Sequence, residues 1–176
     1  VTASAWIILI VSSLYWNLIT LKNGQQTIVF KTAHVLFEQI LITRRWNADI
    51  GGVYVPVSEK IKPNPYLKDV RRDITIDETF HLTKINPSFM TRQLSEITNE
   101  SLNIKFHLTS LLPLRPLNAP DEWEKKALER FNTGIPEYGE ILRNKAGNSF
   151  IYMKPLHVEK SCLACHTEQG YKEGDI

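Results

Sequence analysis

The sequence predicts an α+β domain of helices, short strands and an antiparallel hairpin, preceded by an N-terminal transmembrane helix that continues into a long helix. Two observations support this prediction. The chain starts with an uncharged apolar run followed by a helical pattern without proline, and its later part alternates short apolar segments with proline and glycine turns. We expect a transmembrane anchor at residues 1–21, a long amphipathic helix at 22–48 and one folded domain at 49–176.

The anchor is predicted from an uncharged run at residues 3–21, which is about the length needed to cross a bilayer. Trp6, Tyr15 and Trp16 lie toward its ends, where aromatic rings favour the membrane interface. A cleavable signal peptide is the alternative, but no small-x-small cleavage site follows the run. We therefore expect the segment to stay attached as a membrane anchor.

The long helix is predicted from residues 25–47, which contain no proline. Two neighbouring rows of residues follow a 4-3 spacing. One row is Ile28, Thr32, Val35, Gln39, Ile42 and Trp46, and the other is Val29, Ala33, Leu36, Ile40 and Thr43. This wide apolar face can pack on its own domain or form the seam of a helical dimer, and the pattern leaves both open.

The domain begins where Gly51 and Gly52 break the helix, and residues 53–57 predict a short strand closed by proline. Asn86 followed by Pro87 is typical of a helix N-cap and first helical position, so residues 87–99 predict a helix. The side chains expected to point inward from it are Phe89, Met90, Leu94 and Ile97.

The second half of the domain continues with two predicted strand regions around a helix. Residues 104–111 alternate like a strand, and residues 112–120 are proline-rich and extended. Residues 121–131 predict a helix, with Gly134 just beyond its C-terminus. Residues 138–142 and 149–158 then predict a hairpin across a Gly/Asn turn at 145–148.

After this hairpin stands Cys162-Leu163-Ala164-Cys165-His166, a Cys-x-x-Cys-His motif that is typical of c-type haem attachment. Two thiols at this spacing can form thioethers with the two vinyl groups of one haem, and the adjacent imidazole can bind its iron. A redox Cys-x-x-Cys should open the helix of a βαβ unit, and a closed zinc site needs two further ligands. We therefore expect one covalent haem c, held by Cys162 and Cys165, with His166 as an iron ligand.

Composition and charge exclude other classes. The 21 basic and 19 acidic residues are mixed along the chain, and the formal net charge is +2, so no basic stripe suggests nucleic acid. Both cysteines are used by the haem motif, which leaves no disulfide framework. Covalent haem attachment takes place on the outer side of energy-conserving membranes, so the domain is expected in the periplasm or an equivalent compartment.

Several sequence blocks between residues 30 and 176 occur together, in this order, in one family. They are Arg45-Trp46-Asn47-Ala48, Gly51-Gly52-Val53-Tyr54-Val55-Pro56, Pro63-Asn64-Pro65-Tyr66-Leu67, Leu82-Thr83-Lys84-Ile85-Asn86-Pro87, Met90-Thr91-Arg92-Gln93, Thr109-Ser110-Leu111, Asn118-Ala119-Pro120-Asp121-Glu122-Trp123-Glu124, and the haem motif leading into Gln169-Gly170-Tyr171. On these blocks the sequence resembles the covalent-haem PAS-like domains, a domain of unknown function. That family occurs in front of bacterial sensor kinases and chemoreceptors and as single-haem proteins in cyanobacteria.

The resemblance implies a PAS-like antiparallel sheet flanked by helices, with the haem in a pocket and its propionates near solvent. Family chains tend to run on past Ile176, so the resemblance is compatible with a fragment that lacks its output module. Side chains that suit the apolar walls are Tyr54, Phe89, Leu94, Leu108, Phe150, Tyr152 and Leu156, and those that suit the propionates are Arg71, Arg72 and Arg92. Of these, Tyr54 and Arg92 are our expected cofactor-binding residues.

The sixth position of the iron distinguishes the possible functions. Met90 is our candidate, because a thioether would stabilise Fe(II); the alternative is that it fills a gap in the core. Water or an open site is equally compatible with the sequence. The remaining candidates are His34, His81, His107 and His157.

We expect a membrane-anchored, extracytoplasmic mono-haem sensor domain that responds to redox state or to a diatomic gas such as NO, CO or O₂. Its expected partners are the membrane and a second copy of the chain or a membrane protein complex. The alternative is an anchored mono-haem cytochrome c that transfers electrons to a neighbouring complex. An enzyme is not expected, because no acid-base constellation accompanies the haem motif.

Overall fold

The computed structural model describes residues 3–144, 147–160, 162–163, 167 and 170–176. Its elements in chain order are α1 (Ala3–Asp49), β1 (Val53–Pro56), β2 (Asp73–Thr75), β3 (His81–Ile85), α2 (Pro87–Leu102), a 3₁₀ turn (Pro116–Asn118), α3 (Glu122–Phe131), β4 (Tyr138–Asn144) and β5 (Gly147–Met153). The strands form two antiparallel sheets, one in the order β1-β3-β2 and one of β4 with β5. The mixed helix and sheet content is confirmed, and a PAS-like topology stays a prediction.

Helix α1 joins the predicted anchor and the predicted long helix into one element of 47 residues. It is the one helix in the described ranges that is long and apolar enough to cross a membrane, and a signal sequence would pass the same test. The helix ends where the sequence predicts. Gly51 and Gly52 have φ values of 77° and 95°, and their N–H groups donate to the carbonyls of Ala48 and Asn47. This left-handed ending satisfies the last carbonyl groups of the helix.

The chain divides into two compact units, the first of which comprises Val1–Phe37 and Gly139–Tyr152. In this unit the Phe30 ring packs edge-to-face on Phe150 and Tyr152, with centroids 6.2 and 5.3 Å apart. The absence of a side chain at Gly139 allows this contact, since a Cβ there would lie 2.8 Å from Phe150 Cζ. Phe150 and Tyr152, which suit a cofactor wall by sequence, therefore pack against α1 instead.

The second unit comprises Glu38–Tyr138 and Met153–Ile176. Its buried apolar cluster consists of Ala127, Leu128 and Phe131 of α3, packed against Trp123, Tyr138 and Met153. Helix α3 begins as predicted, because the Asp121 side chain accepts from the Glu124 N–H while the Glu124 carboxylate accepts from the Asp121 N–H. This capping box places the apolar side of α3 on the core.

Strands β2 and β3 were not predicted from the sequence; β3 is the central strand of the first sheet and β2 is one of its edges. Thr83 of β3 is fully buried, and its hydroxyl donates to Asp73 of β2 at 2.7 Å. On the other face, the Lys84 ammonium lies 2.6 Å from the Asp69 carboxylate, which lowers the pKa of Asp69. Strand β2 is three residues long and all three are exposed, so it is shorter than the roughly four to eight residues over which alternation predicts a strand.

The strand predicted at residues 104–111 is wrong. Side chains of α2 satisfy the backbone here: Ser95 Oγ accepts from the Phe106 N–H at 2.9 Å and donates to the Phe106 carbonyl at 2.7 Å. The Ile104 N–H donates to the Thr98 carbonyl. Because these groups already have partners on α2, the segment runs alongside the helix without a neighbouring strand.

Helix α2 itself is confirmed with Asn86 as its N-cap, since the Asn86 side chain accepts from the Phe89 N–H. It continues to Leu102, beyond the predicted end. Phe89 is buried as predicted, but Ile97 is 61% exposed.

The predicted hairpin is confirmed as β4 and β5, although Lys145 and Ala146 of its turn lie outside the described residues. Strand β5 ends at Met153 rather than at residue 158. Pro155 provides the physical reason, because proline has no N–H to donate to a ladder. The chain then runs in an extended path toward the haem motif.

Candidate functional site

A cavity of about 590 Å³ lies in the second unit. Its volume is within the range of about 300–1,000 Å³ that is usual for small-molecule and cofactor sites. Five stretches of chain form its walls: the end of α1, residues 64–67, the first turns of α2, residues 105–118, and the residues that follow β5. The predicted haem motif enters this lining through Cys162.

Three of the side chains that suit an apolar cofactor wall by sequence, Phe89, Leu108 and Leu156, line the cavity. Leu94 is half-buried on α2 and is not among the lining residues. Tyr54 is not among them either, and its hydroxyl donates to the Arg71 carbonyl. The role of Tyr54 as a cofactor-binding residue stays a prediction.

The basic side chains divide in a similar way. Arg92 lines the cavity, as the sequence predicts, and its guanidinium lies over the Phe89 ring at 4.4 Å from the centroid. Arg72 instead pairs with Asp73 at 2.5 Å, and Arg71 is exposed; neither is among the lining residues.

Arg44 is the basic residue that sequence reasoning missed. It lies near the end of α1 and lines the cavity, where its Nη1 donates to the Pro87 carbonyl at 3.2 Å and to Thr91 Oγ1 at 3.1 Å. Burial lowers the pKa of Arg44, because desolvation disfavours its charged form. One feature of the sequence could have identified Arg44. It is a charged residue that lies between Ile40 and Asn47, on the half-buried side of the predicted amphipathic helix.

Cys162 is half-buried, and its N–H donates to the Glu159 carbonyl at 2.9 Å. The positive charge of Arg44 is close enough to interact with its thiol. Cys165 and His166 lie outside the described residues, so their predicted roles stay predictions. Within the described ranges, no group of three or more His, Cys, Asp or Glu residues is placed to hold a metal ion.

Two of the four histidines considered for the sixth iron position line the cavity, His107 and His157. His107 Nδ1 lies 2.6 Å from the Glu124 carboxylate, and its Nε2 lies 3.2 Å from the Leu117 carbonyl. Both partners are acceptors, so both ring nitrogens donate. The hydrogen bond that His107 donates to the Glu124 carboxylate raises the pKa of His107. An imidazole held in this way has no lone pair for iron.

The other two histidines lie elsewhere. His34 contacts Tyr152 in the first unit, and His81 lies beside Thr75 in the first sheet. Neither is among the residues that line the cavity.

Met90 is half-buried on α2 and is not among the lining residues. If it binds iron, Met90→Ala should change the reduced haem from low-spin to high-spin and lower the reduction potential, because a thioether ligand stabilises Fe(II). Visible spectra and a redox titration of the holoprotein measure both. An unchanged spectrum and potential would make Met90 a packing residue, and Leu94→Ala, a similar truncation on the same helix, is the matched control.

The described lining fits a haem. It combines an apolar surface of Phe89, Leu108 and Leu156, a thiol at Cys162, and buried or half-buried arginines able to bind carboxylates. These features match the needs of an apolar macrocycle that carries two acidic groups and is attached through cysteine.

Comparison with known proteins gives one match. A family model described as Tll0287-like matches residues 23–176. No curated protein and no solved structure matches the chain.

Proposed function

The chain belongs to the Tll0287-like family, the family of a haem-binding sensor domain, and from this premise we propose that it is a membrane-anchored, extracytoplasmic PAS-like sensor carrying one c-type haem. Cys162 and Cys165 would attach the haem and His166 would bind its iron. The bound group would supply an iron that changes oxidation state or takes a diatomic gas as a ligand. The protein residues around the cavity would then convert that change into a movement.

The observation that best supports sensing is the position of α1. One wall of the cavity is formed by the α1 residues Leu41, Arg44, Arg45 and Ala48. The same helix runs without a break from the apolar segment at its start. A change in the contents of the cavity therefore acts directly on α1. An electron carrier has no need of such a wall, because it functions best with little structural change.

The exposed row of α1 supports a second copy of the chain as the partner. Ile28, Val35 and Ile42 are 65%, 63% and 63% exposed, and the residues between them in the 4-3 row, Thr32 and Gln39, are exposed as well. Most of the neighbouring row is half-buried. One row thus packs within the chain, while the other is left as an apolar seam of the kind that coiled-coil dimers use.

Crosslinking between copies of the chain tests this proposal. Ile28→Cys, Val35→Cys and Ile42→Cys, each made alone and studied in membranes, should form interchain bismaleimide crosslinks. The relative yields at the three positions should differ between dithionite-reduced and ferricyanide-oxidised protein, because a signalling helix changes its packing with the state of the sensor. Thioether crosslinks are suited to this comparison because they persist under both redox conditions.

Gln26→Cys is the matched control. It is exposed on the same helix but lies about 200° around the axis from Ile28, so it should crosslink poorly in every state. Equal yields at all four positions would contradict the dimer seam. Identical patterns in both redox states and under CO or NO would contradict sensing and favour the alternative, a membrane-anchored cytochrome c that transfers electrons.

A further inference from the structure

Three arginine side chains line the cavity without a carboxylate partner. In the part of the chain that the structure describes, no salt bridge reaches Arg44, Arg92 or Arg115. The Glu159 carboxylate, which also lines the cavity, pairs with Arg45 instead at 3.3 Å. Glu96, a second carboxylate of the lining, is exposed and close enough to Arg92 for a charge interaction, but it forms no salt bridge with it in the described structure. The lining thus presents three guanidiniums without an ion-pair partner beside an apolar surface.

Arg44 has the strongest need of an anion. A guanidinium has five N–H donors, and among the described residues Arg44 donates to the Pro87 carbonyl and the Thr91 hydroxyl, both of which are neutral. A buried charge without a counter-charge is unfavourable, and the lowered pKa of Arg44 reflects this. A carboxylate in the cavity would supply both the missing charge and further acceptors.

Arg92 and Arg115 form a second cationic group. Burial and the neighbouring charge of Arg115 lower the pKa of Arg92, and the charge of Glu96 acts in the opposite direction. The Arg92 guanidinium lies over the Phe89 ring, and Arg115 Nη1 lies 3.4 Å from Asn118 Oδ1. Two like charges that face one cavity favour an anion bound near both of them.

We propose that Arg44, Arg92 and Arg115 form a carboxylate-binding site in this cavity, and that the carboxylates it binds are the propionates of the haem. The identification as propionates rests on the proposed function. The ligand class follows from the surroundings: the same cavity presents Phe89 and Leu108, which suit an apolar body that bears acidic groups rather than a small inorganic anion.

The site also links the cavity to α1. The Arg44 side chain starts on α1 and donates to the first turn of α2 at Pro87 and Thr91. A carboxylate bound to Arg44 would accept hydrogen bonds from the same guanidinium that donates to Pro87 and Thr91. Occupancy of the site therefore changes the contact between α1 and α2, and Arg44 acts as a positioning residue for the signalling helix.

The test compares an acid with its ester. The full-length chain, produced without haem attachment and kept in detergent with reduced thiols, is titrated with ferric protoporphyrin IX and with its dimethyl ester, and tryptophan fluorescence quenching reports binding. The acid should bind about tenfold or more tightly than the ester, the ratio expected from one charge-assisted hydrogen bond. Arg44→Gln, Arg92→Gln and Arg115→Gln should each reduce this preference and leave ester binding unchanged.

Arg71→Gln is the matched control, since it removes the same charge from an exposed position outside the cavity lining and should keep the full preference. Unchanged ester binding shows that each variant is folded. Arg44→Lys keeps the positive charge, so it should retain the preference for the acid that Arg44→Gln reduces. Equal binding of acid and ester by the unmodified chain, or a preference that survives all three substitutions, would overturn the site.

Haem attachment is scored separately, in cells that carry out c-type maturation. Attachment without a preference for the acid overturns the carboxylate site alone. A preference without attachment overturns the proposed c-type function and leaves the carboxylate site supported. Absence of both attachment and porphyrin binding overturns both.

Discussion

Replacing both Cys162 and Cys165 with alanine is expected to abolish covalent haem completely. In the proposed attachment these two thiols form the thioether bonds, and this sequence contains no other cysteine. Either single substitution should leave one thioether and shift the pyridine haemochrome band toward that of a haem with one remaining vinyl group. The measurement is the haem that stays with the polypeptide after denaturation.

Leu163→Ala is the control for this experiment. Leu163 lies between the two cysteines and is half-buried, so the substitution disturbs the same segment without removing a thiol, and covalent haem should be retained. Haem that remains bound to the denatured double mutant would place the attachment elsewhere. Since Cys162 lines the cavity, attachment there puts the cofactor beside Arg44 and Phe89.

The second large effect is expected from His166→Ala, which should destroy the native visible spectrum of the haem. In the proposed c-type site the thioether anchors would hold this imidazole at the iron, and a ligand placed by its own anchors is not expected to be replaced by another imidazole of the chain. Added imidazole should restore a low-spin spectrum, because it supplies the missing ligand without repairing the chain. The spectra are recorded in both oxidation states.

His157→Ala is the matched control. His157 also lines the cavity, and its Nδ1 lies 3.3 Å from the Gly174 carbonyl, so it is a nearby histidine with its own structural contact. Its replacement should leave the spectrum unchanged. If His157→Ala, and not His166→Ala, removes the native spectrum, the assignment of the proximal ligand is wrong.

Local features of the fold were predictable because short-range interactions decide them. The two glycines after α1 adopt left-handed backbone angles that other residues rarely adopt, and Asn86 and Asp121 satisfy the first N–H groups of α2 and α3. The hairpin of β4 and β5 follows from alternating strands on either side of a turn. Each of these signals lies within a few residues of the feature that it predicts.

The segment at residues 104–111 shows why local reasoning fails elsewhere. Its alternation is that of a strand, but Ser95 and Thr98 of α2 provide partners for its backbone groups. The same limitation applies to aromatic residues. Phe150 and Tyr152 are residue types that suit a cofactor wall, but in the structure they pack edge-to-face against Phe30 of α1. The choice of partner depends on which distant element the chain brings alongside.

The sequence by itself therefore determined the motif Cys162–His166, the apolar start, the N-termini of α2 and α3 and the hairpin, because each depends on residue types at fixed short spacing. The tertiary structure alone decided which side chains share the cavity. Arg44 and Arg92 are 48 positions apart in the sequence, and they line the same cavity where the Arg44 side chain reaches from α1 to Pro87 and Thr91 in the first turns of α2. In the described part of the chain neither guanidinium has a salt-bridge partner, which no local pattern in the sequence could indicate.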